Sequence, residues 1–384
     1  MTSSAPASPP PAADAARAPQ PLRIHMILPA MPAGGMEAVV LMLCERLRRL
    51  GHELEVTCTE YVGAFGEELA ARGVPVTLVR LPARHHTWHP GPLAAHLRAR
   101  RPDVVHSHSG VWLRSARAAA LAGLPPIVHT EHGILNGVLK PEPLRDRITK
   151  RLAARHTHRV VAVADALREH LVTITGIDAR QVRLIPNGID EEQFAPAPRD
   201  AAVRASLGVP AHVPLLGTVA RLAPEKNHLL LIDAFARLRG THPDAHLVVV
   251  GDGPMRDALE TRVAELGIAD AVRLPGVRRD TAALYRELDA FVLSSDSEGA
   301  SISLLEAMAT AVPCVATAVG GSPALLDHGA CGHVVPPRDV DALALALGAA
   351  LADRAAAADL GRRARARVAA DFGAGAMVSA YEAE

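Results

Sequence analysis

From Leu22 onward the chain alternates short apolar runs with longer amphipathic stretches, and it does so in two successive series. In the first, residues 22–28, 54–58, 74–79, 104–106, 127–129, 160–163 and 182–185 read as strands, separated by helical segments such as 37–50, 93–100 and 114–122. Strands of this kind, alternating with helices, belong in a parallel sheet covered on both faces. Pro186-Asn187-Gly188-Ile189-Asp190 ends the series, and a Pro/Ala/Asp-rich stretch follows to about Pro214. A second set of strands then runs through 215–219, 246–250, 271–274, 290–293, 314–316 and 333–335, and the chain is Ala/Arg-rich and helical after Asp339. The pattern predicts an α/β protein of two Rossmann-like domains, over 22–190 and 214–374, with a linker over 191–213. Ligands of such sheets bind outside the carboxyl ends of the strands, here in a cleft between the domains.

A length of 384 residues fits two cores better than one. The formal net charge of zero argues against nucleic-acid binding. Cys44, Cys58, Cys314 and Cys331 form no Cys-x-x-Cys pair and lie in or beside apolar runs, which predicts buried free thiols in a reducing compartment. Residues 1–21 are Ala/Pro/Ser-rich and read as a disordered tail, and no apolar run is long enough to span a bilayer. A cytoplasmic protein is expected, with peripheral contact to the inner membrane surface open.

The segment Ser295-Asp296-Ser297-Glu298-Gly299-Ala300-Ser301-Ile302-Ser303-Leu304-Leu305-Glu306 follows a buried strand and turns helical near Ile302. Glu298 then sits on the turn and Glu306 inside the helix, with the free N–H groups of the helix N-terminus between them. Two acids flanking an anion cradle suit a ligand with hydroxyls at both ends and phosphates in the middle. A second constellation, Arg221 and Lys226, follows the first strand of the second series. Lys occurs only at positions 140, 150 and 226, so its use at 226 is informative. A guanidinium fork and an ammonium point charge together can offset a diphosphate. At a helix start, where cations are disfavoured, the pair argues for an anionic partner.

The run from Glu298 to Glu306, continued by Ala311-Val312-Pro313-Cys314-Val315 and Gly320-Gly321-Ser322-Pro323, resembles the Glu-x7-Glu signature of retaining family 4 glycosyltransferases, which have the GT-B fold. The sequence departs from the family at Ala311, where Gly is usual, and at Ala324, where many members carry Glu. The resemblance covers about 22–335 and is stronger in the second half. It implies a cytoplasmic transferase that moves a sugar from a UDP- or GDP-linked donor to a saccharide or lipid-linked saccharide acceptor, as in exopolysaccharide and capsule assembly, with no cofactor and no metal in the site.

The same resemblance assigns Glu306 to the ribose hydroxyls, Glu298 to the donor sugar, and Arg221 with Lys226 to the diphosphate. It places the N–H groups near Ser301 and Ile302 beside the diphosphate, and the backbone near Val277 at the base. Gly34 and Gly35, on a strand-to-helix turn where a backbone can approach a ligand closely, match the family's glycine loop. His129 resembles the first-domain histidine that contacts the donor sugar, while His108, Glu131 and His132 are expected on the acceptor side. Residues 375–384 are expected to cross back onto the first domain.

Other features leave alternatives open. His106, His108, His129 and His132 end two neighbouring strands, yet no Asp-x-Asp or His-Glu-x-x-His accompanies them, so a metal site is disfavoured. Gly251-Asp252-Gly253 follows a strand, but the third glycine of a dinucleotide fingerprint is missing. Arg145, Arg147, Lys150, Arg151 and Arg155 form a basic helical face, either solvated or turned to a lipid surface. Arg84-His85-His86-Thr87-Trp88-His89 and the loop after Gly133 are expected to shape the acceptor side. With no second carboxylate placed for displacement, front-face attack is favoured over a covalent intermediate. A UDP-sugar epimerase and a non-catalytic nucleotide-sugar-binding partner of an assembly complex are the competing functions. A phosphorylase is poorer, since no lysine has the context for pyridoxal phosphate.

Overall fold

The computed structural model describes residues 20–81, 90–133 and 142–384. Most of the tail, the Arg84–His89 stretch and the loop following Gly133 therefore lie outside the described residues. The first sheet contains β1 (Arg23–Ala30), β2 (Glu53–Tyr61), β3 (Val76–Leu78), β4 (Val104–His108), β5 (Ile127–Glu131), β6 (Thr157–Ala162) and β7 (Val182–Leu184). The second contains β8 (Leu215–Val219), β9 (His246–Val250), β10 (Val272–Gly276), β11 (Ala290–Leu293), β12 (Cys314–Thr317) and β13 (His333–Val335). Every pairing is parallel. The thirteen runs read as strands in the sequence are all strands here, with boundaries moved by a few residues. All four cysteines are free and buried.

Strand order is what positions the site. It runs β3-β2-β1-β4-β5-β6-β7 in one sheet and β10-β9-β8-β11-β12-β13 in the other. Each order reverses once, between β1 and β4 and between β8 and β11. At such a point the connections leave on opposite faces of the sheet, and a crevice opens beyond the strand ends. The loops at these two crevices are those of Gly34-Gly35, Ser109-Gly110, Arg221 to Lys226 and Ser294 to Ser301. The domains touch where Gly35 meets Ile302; a Cβ on Gly35 would lie 3.3 Å from that of Ile302.

The stretch 191–213 is only partly a linker. Asp200 caps the helix Ala201–Ser206 by accepting from the Ala202 N–H at 2.9 Å. Arg204, buried, donates to Glu287 Oε2 at 3.1 Å and to the carbonyls of Glu287 and Val213 at 2.8 and 2.9 Å. Residues 200–213 are thereby fixed to the second sheet's side, because a buried guanidinium must satisfy its donors locally.

The chain crosses between domains twice, and the two crossings pair. Ile189 N–H donates to Phe372 O at 2.9 Å, and Ala374 N–H to Ile189 O at 3.0 Å. The last helix, Ala374–Glu382, then lies on the first domain, with Tyr381 Oη 3.0 Å from Thr130 Oγ1. Glu384 receives Arg159 and Arg183 at 2.6 and 2.8 Å. Ala311 has φ +58°, which explains the family's usual glycine there: an L side chain is disfavoured in that region.

Gly188 sits in the crossing, where an added Cβ would lie 2.9 Å from Ala374 Cα and 3.0 Å from Met377 Cβ. Gly188→Val should therefore cost about 1–3 kcal/mol through overpacking, read as a lowered thermal midpoint. Gly375, with open space around its Cβ position, should tolerate Ala without loss. Equal midpoints for Gly188→Val and the parent protein would contradict this account of the crossing.

Candidate functional site

The loops after β8 and β11 are tied into one surface. Ser294 Oγ donates to Lys226 O at 3.0 Å, Asp296 N–H to Glu225 O at 2.8 Å, and Asn227 Nδ2 to Asp296 Oδ1 at 3.0 Å. From β12, Thr317 Oγ1 donates to Ser295 O at 2.6 Å. Gly321 N–H donates to Gly299 O at 2.8 Å, and a Cβ on either Gly320 or Gly321 would strike the backbone of residues 298–299. The Gly-Gly turn is thus explained by close backbone approach, which only glycine permits at φ +53° for Gly320.

On this surface Lys226 Nζ donates to Glu298 Oε1 at 2.7 Å, and Ser295 Oγ donates to the same oxygen at 2.6 Å. The Glu298 side chain is nearly buried and Lys226 mostly so. Arg221, largely exposed, pairs with Glu225. The helix Ile302–Ala309 begins beside them, capped by the Ser301 hydroxyl, which accepts from Leu304 N–H at 3.4 Å. The earliest N–H groups of a helix have no intrahelical acceptor, so this end could receive an anion. Asp296 is held by Arg338 at 2.9 Å. Val277 is exposed just past β10.

Glu306 lies one helical turn deeper. Tyr285, fully buried on the helix Thr281–Glu287, donates its hydroxyl to Glu306 Oε2 at 2.7 Å. Burial pushes the Glu306 carboxyl up to about 7, and the tyrosine bond only partly offsets this. Tyr285 carries no sequence signal for this role; its helix has no motif, and only packing brings it to Glu306. Glu37, following the glycine loop, is likewise raised by burial, with Arg221 acting against the rise from across the cleft.

The first domain contributes the opposite wall. A cavity of about 1060 Å³ between the domains is lined by Trp112, Arg114, Glu131, His132, Arg145 and Lys150 on one side, and by Arg221, Lys226, Glu298 and Arg338 on the other. The expectation that His129 faces this cleft needs correction. Its ring is completely buried, stacked on Trp112 with centroids 4.2 Å apart and planes 7° apart, with Nδ1 2.9 Å from Ser107 Oγ. Trp112 covers it. The histidine that does line the cavity is His132, whose backbone abuts Gly299. Period-two alternation along β5 predicts that residues 129 and 131 share a face, but not which of them a neighbouring indole would cover.

His108 is buried behind His132, with Nδ1 3.0 Å from His132 Nε2. Burial holds His108 well below the ordinary histidine range and His132 down at about 4, so both rings are neutral near pH 7. Burial alone would raise Glu131; the Lys150 ammonium at 3.4 Å and the His129 ring instead hold its carboxyl down at about 2. Lys150 also meets Glu142 at 2.9 Å. The Gly251-Asp252-Gly253 turn proves to be a support: a Cβ on Gly253 would lie 2.5 Å from Leu222 O, and Leu222 N–H donates to Asp252 O at 2.9 Å. It steadies the Arg221 loop.

Fold and site together define a two-domain protein with an interdomain cleft suited to a polyhydroxylated, anionic ligand. Residues 33–193 match the Glycosyltransferase Family 4 model and residues 200–367 the Glycosyl transferases group 1 model. A D-inositol 3-phosphate glycosyltransferase of Kineococcus radiotolerans is 35% identical, over 94% of this chain and 92% of its own. The Escherichia coli UDP-Gal:alpha-D-GlcNAc-diphosphoundecaprenol alpha-1,3-galactosyltransferase is 30% identical over 65% of this chain and 67% of its own. Anabaena HepE in complex with UDP-glucose superposes with a TM-score of 0.82 at 25% identity, covering 93% of this chain and 97% of that one. The chain belongs to the family 4 glycosyltransferases and has the GT-B fold.

The raised Glu306 carboxyl makes a stability prediction. Between pH 4.5 and about 7 the folded chain holds a proton that the unfolded chain has released. Glu306 therefore makes stability fall as pH rises through that window, by on the order of 3 kcal/mol at full deprotonation. Thermal midpoints of Glu306→Gln should lose this part of the decline. Parallel pH profiles for the variant and the parent would refute the assignment.

Proposed function

We propose that this chain transfers a sugar from a UDP-linked donor to a hydroxyl of a phosphate-bearing acceptor, with retention of anomeric configuration and without a metal ion. The observation carrying this reading is the convergence of Lys226, Arg221, Glu298 and a capped helix N-terminus on one wall of the cleft. Lys226, Arg221 and the N–H groups near Ser301 and Ile302 stabilise the diphosphate as the bond from its oxygen to the sugar C1 breaks, where negative charge builds. These groups supply the positive charge that a metal provides in other transferases. Glu298 accepts hydrogen bonds from the donor sugar, Glu306 from the ribose, and the backbone at Val277 meets the base. The glycine loop at Gly34 and Gly35 lets the first domain approach the donor. His132, not His129, meets the sugar from that side. The acceptor oxygen attacks C1 on the face the diphosphate leaves, and its proton passes to the departing diphosphate oxygen.

UDP is preferred over GDP on the likeness to HepE, whose structure holds UDP-glucose, and to the UDP-galactose-dependent relative. An anionic acceptor is supported by Arg114 and Arg145 on the first-domain wall, and by the phosphate that both named relatives' acceptors carry. The helix Leu144–Ala154 beside the cavity favours a lipid-linked acceptor. Leu144 is 68% exposed and Ile148 47% exposed, and Arg155, also exposed, follows at helical spacing on the same side. Such a face fits an anionic bilayer surface, where each basic residue contributes about 1 kcal/mol. Among the described residues no helix is long and apolar enough to cross a membrane. The match to the inositol phosphate transferase, over 92% of that protein, favours a second reading, a small soluble polyol phosphate as acceptor.

UDP release from UDP-sugars, measured with a lipid-diphosphate saccharide in vesicles and with an inositol phosphate, separates the two acceptors. Product anomers read by NMR test retention, and activity surviving chelator tests metal independence. Lys226→Ala should lower kcat about 10²–10³-fold while leaving the fold intact. Full turnover in that variant, or no UDP release with any sugar donor and acceptor, would sink the proposal in favour of a binding partner.

A further inference from the structure

At the opposite end of the first sheet from the cleft, three residues that the transfer reaction does not use converge. His25 on β1 is in register with Glu55 on the neighbouring β2, so both project from the same face. His96, on the covering helix Gly91–Arg100, closes over them with its ring centroid 5.3 Å from that of His25. His25 lies near the start of its strand, about 16 Å of extended chain before the strand end that feeds the glycine loop.

The hydrogens available do not satisfy this cluster. The Thr57 hydroxyl is 2.8 Å from His25 Nε2 and 3.2 Å from His96 Nε2, and it has one hydrogen to give. When His25 donates from Nε2 and Thr57 donates onward to His96, His25 Nδ1 is a bare lone pair facing Glu55 Oε2 at 3.9 Å. His96 Nε2 then faces Glu55 Oε1 at 3.5 Å as a second acceptor. When the hydrogens run the other way, 3.9 Å is too long for His25 to reach the carboxylate. In either case Glu55 Oε1 is buried without a hydrogen-bond partner. Arg100 Nε, on a half-exposed side chain, forms an ion pair with that oxygen at 3.3 Å, and an ion binding the carboxylate would take its place. With His25 donating from Nε2, the His25 Nδ1 lone pair and the Glu55 carboxylate face one another with no hydrogen between them, and a cation entering there would take the His96 Nε2 lone pair from the Thr57 hydroxyl.

We propose that His25, Glu55 and His96 bind a divalent transition-metal ion of the zinc class. The ligand atoms all lie within 4.8 Å of one another. Tetrahedral zinc places its ligands about 3.4 Å apart, so the side chains close in by rotamer-scale movement. Two imidazoles and one carboxylate select zinc over magnesium or calcium, which prefer all-oxygen shells. A cavity of about 480 Å³ lined by His25, Glu55 and Arg100 opens beside the cluster, giving an entry path and room for a water as fourth ligand. Thr57, accepting from His25 Nε2, fixes the tautomer that presents Nδ1 to the ion, as outer partners of metal-bound histidines commonly do. The ion would tie the first two strands to the helix that covers them, away from the chemistry of the cleft.

The test is calorimetric titration of chelator-stripped full-length protein with zinc chloride, with cobalt substitution giving a visible spectrum of the site. The expected result is one ion per chain, a raised thermal midpoint, and a tetrahedral cobalt spectrum. Glu55→Gln and His96→Asn should each abolish that binding while unfolding at the parent midpoint in chelator. Thr57→Val should weaken it about tenfold. A hydrogen-bonding role for Thr57 in the fold alone would leave metal affinity unmoved. No stoichiometric binding by the parent protein, or binding that survives both ligand substitutions, overturns the proposal, the latter by placing the ion on other histidines.

Discussion

The reversal of strand order between β1 and β4, repeated between β8 and β11, is the constraint on which the rest of the molecule depends. It separates consecutive helices onto opposite faces of each sheet and leaves a crevice where no connection covers the strand ends. The two crevices face one another, so a ligand held by the second domain is met by loops of the first. The paired crossings at Ile189 and Phe372–Ala374 keep the sheets in that relation, and both depend on Gly188 letting two backbones come together. Residues with no chemistry of their own thereby decide whether Lys226 and His132 can address the same molecule.

Electrostatics within the cleft are arranged before any ligand arrives. Lys226 and Glu298 are paired and mostly buried, a state whose desolvation cost is weakly repaid unless further hydrogen bonds complete it. Ser295 supplies one such bond to the Glu298 carboxylate. A diphosphate entering beside this pair would find an ammonium already oriented, which lowers the reorganisation needed as charge develops. On the facing wall, Lys150 is neutralised by Glu131 and Glu142, while Arg114 and Arg145 also line the cavity. The two walls therefore offer different electrostatics.

Much of this was legible in the chain, and the limits of legibility have physical causes. Strand periodicity and Gly/Pro punctuation survive in any window of sequence, so all thirteen strands could be read. Glu298, Glu306, Arg221 and Lys226 lie on continuous segments whose local geometry follows from one strand-to-helix turn each; Lys226 meets Glu298, Arg221 lines the same cavity, and Glu306 lies deeper against Tyr285. The misreading at His129 arose where three-dimensional neighbours decide: Trp112, from a different element, covers one histidine and leaves His132 open. Tyr285 and Glu37 were invisible for the same reason. The stretch after Asp190 looked like a linker because its composition is loop-like, yet Arg204 finds Glu287 and Asp289 more than eighty residues away and orders its second half.

By itself, then, the sequence determined the α/β class, the two successive sheets and the placing of Lys226 and Glu298 on the second domain's strand-to-helix turns, because those rest on local periodicity and on motifs confined to single turns. Tertiary structure alone decided which histidine reaches the cleft, which tyrosine restrains Glu306, and how His25, Glu55 and His96 meet. Each of these is a contact between elements distant in the chain, fixed by the register of parallel strands and the helices laid across them, and no local window of residues encodes it.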